Sequence, residues 1–539
     1  MIHDHIVVGS GMTGAHAAQT LVESGRRVLM LDVGLRDTRY APLVPADDFV
    51  SVRERDPGQH RYFLGDAFEG IPWGPAAHTL TPPRQHIERD TERWLPLTSA
   101  AFTRMESLAY GGLGAGWGAG AAVYTPVELR AMGLDPERIG PVYELIGRRI
   151  GLAGQRDDAT PYCGRGLETL QPPLQMDGSI AALHARYLRH RDALRKGGLV
   201  MGKMPMAVLT RALAERGATR YTDMDFWADH DHAVYRPWMT VEALKRRAGF
   251  EYRDGRLVLS FAERGDHVEV RTRRVDGGGD EMFRARRLVL GSGTLGTARI
   301  VLRSQAPFDA PLPLLTNPYC IAPCVHLRRL GSDLERARTS LGQLEMFLDP
   351  RGDGTDVRMV SLYTYRSLLL FKLVKEVPLG FADARVLMQR LLPAIVLATI
   401  NHPDHPAPGK RLRRVSDPAS PTGDALEVDY TLTGAEARDN DRCERRILAA
   451  LARLGCHALK RQGMRAGSTL HYAGTLPFAA DGAAAPHTVA PDGRLGGTRR
   501  VFVADGSPFR TLPGNGPTFT LMAWAHVVAE GLARRNDGD

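Results

Sequence analysis

One histidine, His471, sits in the stretch GSTLHYAGTLPF (467–478), between small residues and a Tyr-Ala-Gly-Thr turn. A neutral imidazole with a pKa of about 6.5 accepts a proton near neutral pH, which suits a general base. A histidine also serves as a polar side chain at the end of a strand, and the stretch alone does not choose between the two. A second chemical signal opens the chain. Gly9-Ser10-Gly11-Met12-Thr13-Gly14 spells G-x-G-x-x-G, and an acid, Asp32, follows. In such a turn the first glycine permits the tight bend, the second lets backbone approach a pyrophosphate, and the third lets helix pack on strand.

The elements that must position these groups are legible around them. Ile6 to Val8 form a short apolar strand leading into the turn. Ala15 to Glu23 carry helical periodicity, with Ala18, Leu21 and Val22 on one side, and Gly25 ends that helix. Arg27 to Leu31 form a second apolar strand that ends in Asp32, at the distance from Gly9 that a ribose-binding carboxylate needs. The helix N-terminus would offer free N–H groups and a positive dipole end to phosphates. Strand, turn, helix, strand and acid in register predict dinucleotide binding, with the choice of dinucleotide open.

Three further segments extend this frame. AYGGLGAGWGAGAAVY (109–124) holds six glycines between Gly111 and Gly120, a run that lets backbone lie flat against a planar ligand or a pyrophosphate. RRLVLGSGTLGTARIVLRS (286–304) repeats strand, glycine turn and helix, and is read as the return of the dinucleotide sheet. In the last segment, 499–535, Val501 to Ala504 form a strand ending at Asp505. Pro517 stands where a helix would begin, and Leu521, Met522, Ala525, Val528, Ala529 and Leu532 recur at helical spacing.

In these four motifs and their order the chain resembles the glucose–methanol–choline family of flavin-dependent oxidoreductases. The interior (about 126–250 and 305–465) shares only a strand-rich character. The resemblance implies FAD and an α/β fold. A Rossmann-like FAD-binding domain assembled from discontinuous segments (1–125, 251–325 and 466–539) would adjoin an α+β substrate domain with an antiparallel sheet (126–250 and 326–465). It implies that Gly9, Gly11 and Gly14, with Met12 and Thr13, meet the FAD pyrophosphate and that Asp32 takes the adenosine ribose. Gly111, Gly112, Gly116, Trp117 and Gly118 would run along the flavin. Gly293, Asp505 and Gly506 would also face the cofactor, Asp505 on its ribityl or pyrophosphate portion. The helix opened by Pro517 and Thr518 would aim its N-terminus at the pyrimidine ring, where reduction leaves negative charge.

The same resemblance assigns His471 of HYAGT as the base that takes a hydroxyl proton while hydride passes to flavin N5. Family members place Asn or His immediately before the proline that opens the last helix. Here that position is Gly516, and Asn515 stands one residue earlier in PGNGPTFT. Either the turn slips so that Asn515 partners the substrate hydroxyl, the favoured reading, or His471 acts alone. Some sugar-oxidising relatives attach flavin through a histidine before the tryptophan of the glycine loop. Gly116 holds that position here, so non-covalent FAD is expected.

Composition narrows the rest. A chain of 539 residues is too long for one compact core, so two domains are expected. A net charge of +9 spread along the chain, with short clusters such as Arg411 to Arg414, does not concentrate as a nucleic-acid footprint would. Five cysteines, an odd number, point to reduced thiols, and the Cys320/Cys324 pair lacks a second pair for zinc, so no metal is expected. The longest apolar run, LLPAIVLATI (391–400), is too short to span a bilayer, and Met1 leads directly into a strand, so a soluble cytoplasmic protein is expected. TDMDFWADHDHAVYRPW (222–238) reads as an acidic, flexible lid, His402 and His405 as a surface loop, and 323–366 as strands of the substrate sheet. A hydroxyl-rich sugar, polyol or aminoglycoside-type alcohol is the expected substrate, with oxygen, a quinone or a carrier protein as electron acceptor. Alternatives are a flavin lyase or isomerase on the same scaffold, or a non-catalytic FAD-binding protein.

Overall fold

The computed structural model describes residues 2–70, 80–305, 310–333, 335–364, 378–480 and 485–535. Its first sheet grows from the strand His3–Val8, whose apolar end, Ile6 to Val8, is buried on both faces. That strand pairs in parallel with Val28–Leu31 on one side and Asp280–Leu290 on the other. Phe250–Arg253 extends the sheet beyond Val28–Leu31, and Val501–Val503 lies parallel to the end of Asp280–Leu290. Segments from four distant parts of the chain thus share one parallel array. Asp280–Leu290 also continues an antiparallel meander with His267–Arg274 and Arg256–Arg264, alternating buried and exposed residues where only one face is covered.

Two helices from opposite ends of the chain, Met12–Glu23 and Thr518–Ala533, pack against each other beside the sheet. The second is hydrophobic nearly all round and almost wholly buried.

The second sheet is antiparallel, in the order Cys456–Ala458, Tyr319–His326, Ile395–Asn401, Arg358–Tyr363, Leu344–Leu348 and Leu199–Gly202. Leu344–Leu348 and Arg358–Tyr363 fall within the predicted strand region 323–366 and Tyr319–His326 overlaps its start; Tyr365 and Arg366 lie outside the described residues. The helices Gly178–Lys196 and Gly434–Arg453 contribute to a separate apolar core against this sheet. A two-stranded ladder, Leu315–Thr316 against Tyr472–Ala473, brings a segment next to the second sheet beside the one that carries His471.

Two sequence expectations are corrected here. The acidic stretch 222–238 is not a flexible lid. Asp223 is buried against Arg338 and Ser340, Asp225 accepts from Thr339 Oγ1 and Ser340 N at 2.9 Å, and Asp229 caps Ala233 and Val234 N–H groups. Asp231 pairs with Arg220, and Trp227 packs with Tyr62 and Phe63. His402 is not on the surface: it is buried, with Nε2 3.0 Å from Glu444. All five cysteines are free and buried. Among the described residues no group of three or more His, Cys, Asp or Glu is arranged to hold a metal, and no helix is long and apolar enough to cross a membrane.

Candidate active site

The two strand–turn–helix units meet edge to edge. Gly9 has φ +92°, and a Cβ there would stand 2.8 Å from Gly291 O. Thr13 Oγ1 donates to the same carbonyl at 3.1 Å. A Cβ on Gly14 would lie 1.9 Å from Gly9 O, so its hydrogen is what lets the helix close on the turn. Gly11 differs: the nearest atom to its built Cβ is Gly111 O at 3.9 Å, so its side faces open space. The glycine-rich loop is tied to this turn by Gly111 N–H donating to Ser10 Oγ at 2.8 Å.

At the end of the second strand, Asp32 accepts from the Ser10 hydroxyl and, at 3.0 Å, from Tyr252 OH. Burial pushes its carboxyl up to about 6 despite those donors. Asp505 sits the same way at the end of the last strand, accepting from Thr297 Oγ1, Ser507 Oγ and Ser507 N, and burial raises its pKa as well.

Three helices open onto the space between these groups. Met12–Glu23 begins at Gly11, Thr294–Ser304 at Gly293 and Thr518–Ala533 at Pro517. None of the three has a side-chain cap or an acidic residue in its first turn. Among the described residues, five other helices are capped, while Pro237–Lys245, Phe381–Leu391 and three shorter helices are not. Asp48, Asp135 and Asp177 cap their helices, and Thr125/Glu128 and Thr433/Glu436 form capping boxes. All three uncapped ends line one cavity of about 2030 Å³, open mouth included. Uncapped N–H groups at converging helix ends are built to receive anionic oxygens.

His471 is on the wall of this cavity, half-buried. Its Nδ1 is 2.9 Å from Asn317 Oδ1, and burial lowers its pKa to about 4, so the imidazole is neutral at ordinary pH. A Cβ built on Gly516 would stand 3.5 Å from both Cε1 and Nε2.

Most of the residues singled out in the sequence converge here. Gly9, Gly11, Met12, Thr13, Asp32, Gly112, Gly116, Trp117 and Gly118 line the cavity, as do Gly293, Asp505, Gly506, Pro517 and Thr518. Gly14 is a packing contact, and Gly111 lies against Pro237 and Trp238. Asn515 is not brought to the cavity. It is buried, its Nδ2 donates to Tyr162 O at 2.9 Å, and its own carbonyl accepts from Tyr124 OH. Gly516 is the residue of that turn that lies against the imidazole.

Sequence reasoning missed Tyr252 on Asp32, Asn317 on His471, and Arg299, whose buried pair with Glu106 stands at the cavity. Their contacts span between 154 and 220 positions, and no local pattern signals them.

Residues 417–525 match the family model described as GMC oxidoreductase. No curated protein sequence gives a match. Among solved structures, pyridoxine 4-oxidase from Mesorbium loti is similar at 15% identity and a TM-score of 0.57, with 98% of each chain covered. An FAD-dependent oxidoreductase from Chaetomium thermophilum is similar at 14% identity and a TM-score of 0.57, again with 98% of each chain covered. At these identities the likeness is one of fold.

Proposed function

We propose that this chain, whose residues 417–525 match the GMC oxidoreductase family model, is an FAD-dependent enzyme that oxidises the hydroxyl group of a small molecule to an aldehyde or ketone. The observation that carries this reading is His471, a neutral imidazole on the wall of a cavity that three uncapped helix ends and a glycine loop also line. The residues fit the cofactor. Gly11 leaves open room for a pyrophosphate, Met12 and Thr13 begin a helix with free N–H groups, and Asp32 offers a carboxylate for a ribose diol. The parallel sheet with its flanking helices is read as a Rossmann-like FAD domain (1–125, 251–325 and 466–539), except that the strand Tyr319–His326 pairs within the second sheet and goes with the remainder, the substrate domain. Gly116 beside Trp117 offers no side chain for covalent attachment, so the cofactor is held non-covalently.

When bound, FAD supplies the two-electron acceptor for the hydride on the carbinol carbon. His471 takes the hydroxyl proton at Nε2. Asp505 and the helix end at Pro517–Thr518 line the cavity close to His471, with Gly516 against the imidazole and Gly506 against Tyr472 O, and a helix dipole there favours negative charge. Asn515 holds the turn before that helix through Tyr162 O, leaving His471 as the side chain that moves the proton. The carboxylates of 222–238 are engaged within the protein, so that stretch supplies no free acid for an amine; a neutral sugar or polyol alcohol is the reading kept.

The test is anaerobic mixing of the flavin-loaded protein with sugars, polyols, aminoglycosides, pyridoxine and simple alcohols. At least one is expected to bleach the flavin. His471→Ala is expected to keep the yellow spectrum and slow that bleaching about 10²–10⁴-fold, the usual loss on removing a general base. Bleaching at the unaltered rate would remove His471 from the reaction.

A further inference from the structure

We infer that Asn317 is the positioning residue of His471, holding the imidazole as its Nδ1–H tautomer and leaving Nε2 as the atom that accepts the proton. This rests on the reading of His471 as base.

The backbone sets up the pair. Leu315 and Thr316 pair with Ala473 and Tyr472 in an antiparallel ladder. One step further along the same register, Asn317 stands opposite His471. Its side chain is 1% exposed and fully engaged: Nδ2 donates to His402 O and to Pro513 O, each at 2.8 Å. Two carbonyls accept only, so the amide cannot be turned over without setting its oxygen against both of them. Oδ1 is therefore the atom that faces His471 Nδ1 at 2.9 Å, and it too can only accept. The hydrogen of that bond must come from Nδ1. A neutral imidazole carries one N–H, so its lone pair is at Nε2, on the side where Gly516 presents no side chain.

The consequence for the reaction is direct. A base must meet the hydroxyl with a lone pair, and the other tautomer would meet it with an N–H. The orienting bond thus selects the working form of the base without touching substrate. His402, far from being a surface loop residue, lends its backbone carbonyl to this arrangement.

Two measurements decide the matter. In flavin-loaded protein with ¹⁵N-labelled histidine, the His471 signal is assigned by its loss in His471→Ala. It is expected to show a protonated Nδ1 and a bare Nε2; a protonated Nε2 would overturn the inference, whether or not the Asn317 variants fold. Asn317→Leu is expected to keep flavin content and to lower the rate of substrate-driven bleaching about 10–100-fold, with KM little changed. Asn317→Asp retains an acceptor for Nδ1, and its ionised form favours the imidazolium, so the acid limb of the rate profile is expected to move to higher pH. Unaltered rates in Asn317→Leu together with an unmoved profile in Asn317→Asp would overturn the positioning role. If instead His471→Ala bleaches at the unaltered rate, the reading of the base fails, while the tautomer assignment stands or falls on its spectrum.

Discussion

The turn Asn515–Gly516–Pro517 decides what reaches the imidazole. An asparagine stands one residue before the position at which the resemblance implies a polar partner, and a one-residue slip is a small demand on a glycine-rich turn. The fold does not make that slip: Asn515 Nδ2 donates to Tyr162 O, and its backbone carbonyl accepts from Tyr124 OH. Which side chain faces a cavity depends on partners some 350–390 positions away, and motif spacing is blind to them. A methyl group at 516 would lie at ordinary contact distance from Cε1 and Nε2. Gly516→Ala is therefore expected to fold and hold flavin as before while narrowing the approach to Nε2. Its kcat/KM should fall about tenfold or more, and further for a secondary alcohol than for a primary one, since one methylene in a tight pocket is worth that much. Equal rates with both alcohols would show that the substrate does not pass this side of the ring.

Among the elements, the glycine turns were the most legible part of the sequence because their roles are local: a positive φ, a close packing contact and an open flank all fall within six residues. The structure separates those roles. Gly14→Ala forces Cβ to within 1.9 Å of backbone, and neither partner can swing away. It is expected to destabilise the protein by at least about 1–3 kcal/mol, read as a lower melting temperature with or without flavin. Gly11→Ala meets only Gly111 O at 3.9 Å, so the apoprotein should melt within about 1 kcal/mol of the unaltered one. Its added methyl points into the space assigned to pyrophosphate, and FAD is expected to bind at least about tenfold more weakly in a titration. If Gly11→Ala bound FAD as tightly as before, the pyrophosphate would have to lie elsewhere. The acidic stretch was misread for the converse reason. Alternating aspartates look solvated, yet Asp223 and Asp225 are satisfied by Arg338, Thr339 and Ser340, more than a hundred positions away.

At the scale of the whole molecule, burial of ionisable groups sets opposing dependences on pH. Burial holds His16 down to about 3 and His471 down to about 4. The native state binds fewer protons than the unfolded chain at these sites, so their contribution is present above the ordinary histidine pKa and is lost as pH falls toward those values. The carboxyls go the other way. Burial pushes Glu128 up to about 7 and Glu345 up to about 8, so each is neutral in the fold at acid pH, and stability is lost as pH rises through the window between 4.5 and these values. Glu345 lies on the second sheet, where Oε2 accepts from Met204 N at 2.8 Å and Oε1 has no hydrogen-bond partner. A protonated carboxyl and an amide have nearly the same shape and charge, so Glu345→Gln is expected to change stability little at pH 5. At pH 9 the unaltered protein carries an ionised Glu345 in an apolar sheet core, and the amide avoids that cost. The variant should then be more stable by about 1–3 kcal/mol in denaturant melts of the flavin-loaded protein. A stability difference that is the same at both pH values would mean that Glu345 is already ionised in the fold, with a solvent path to Oε1 that burial should have closed.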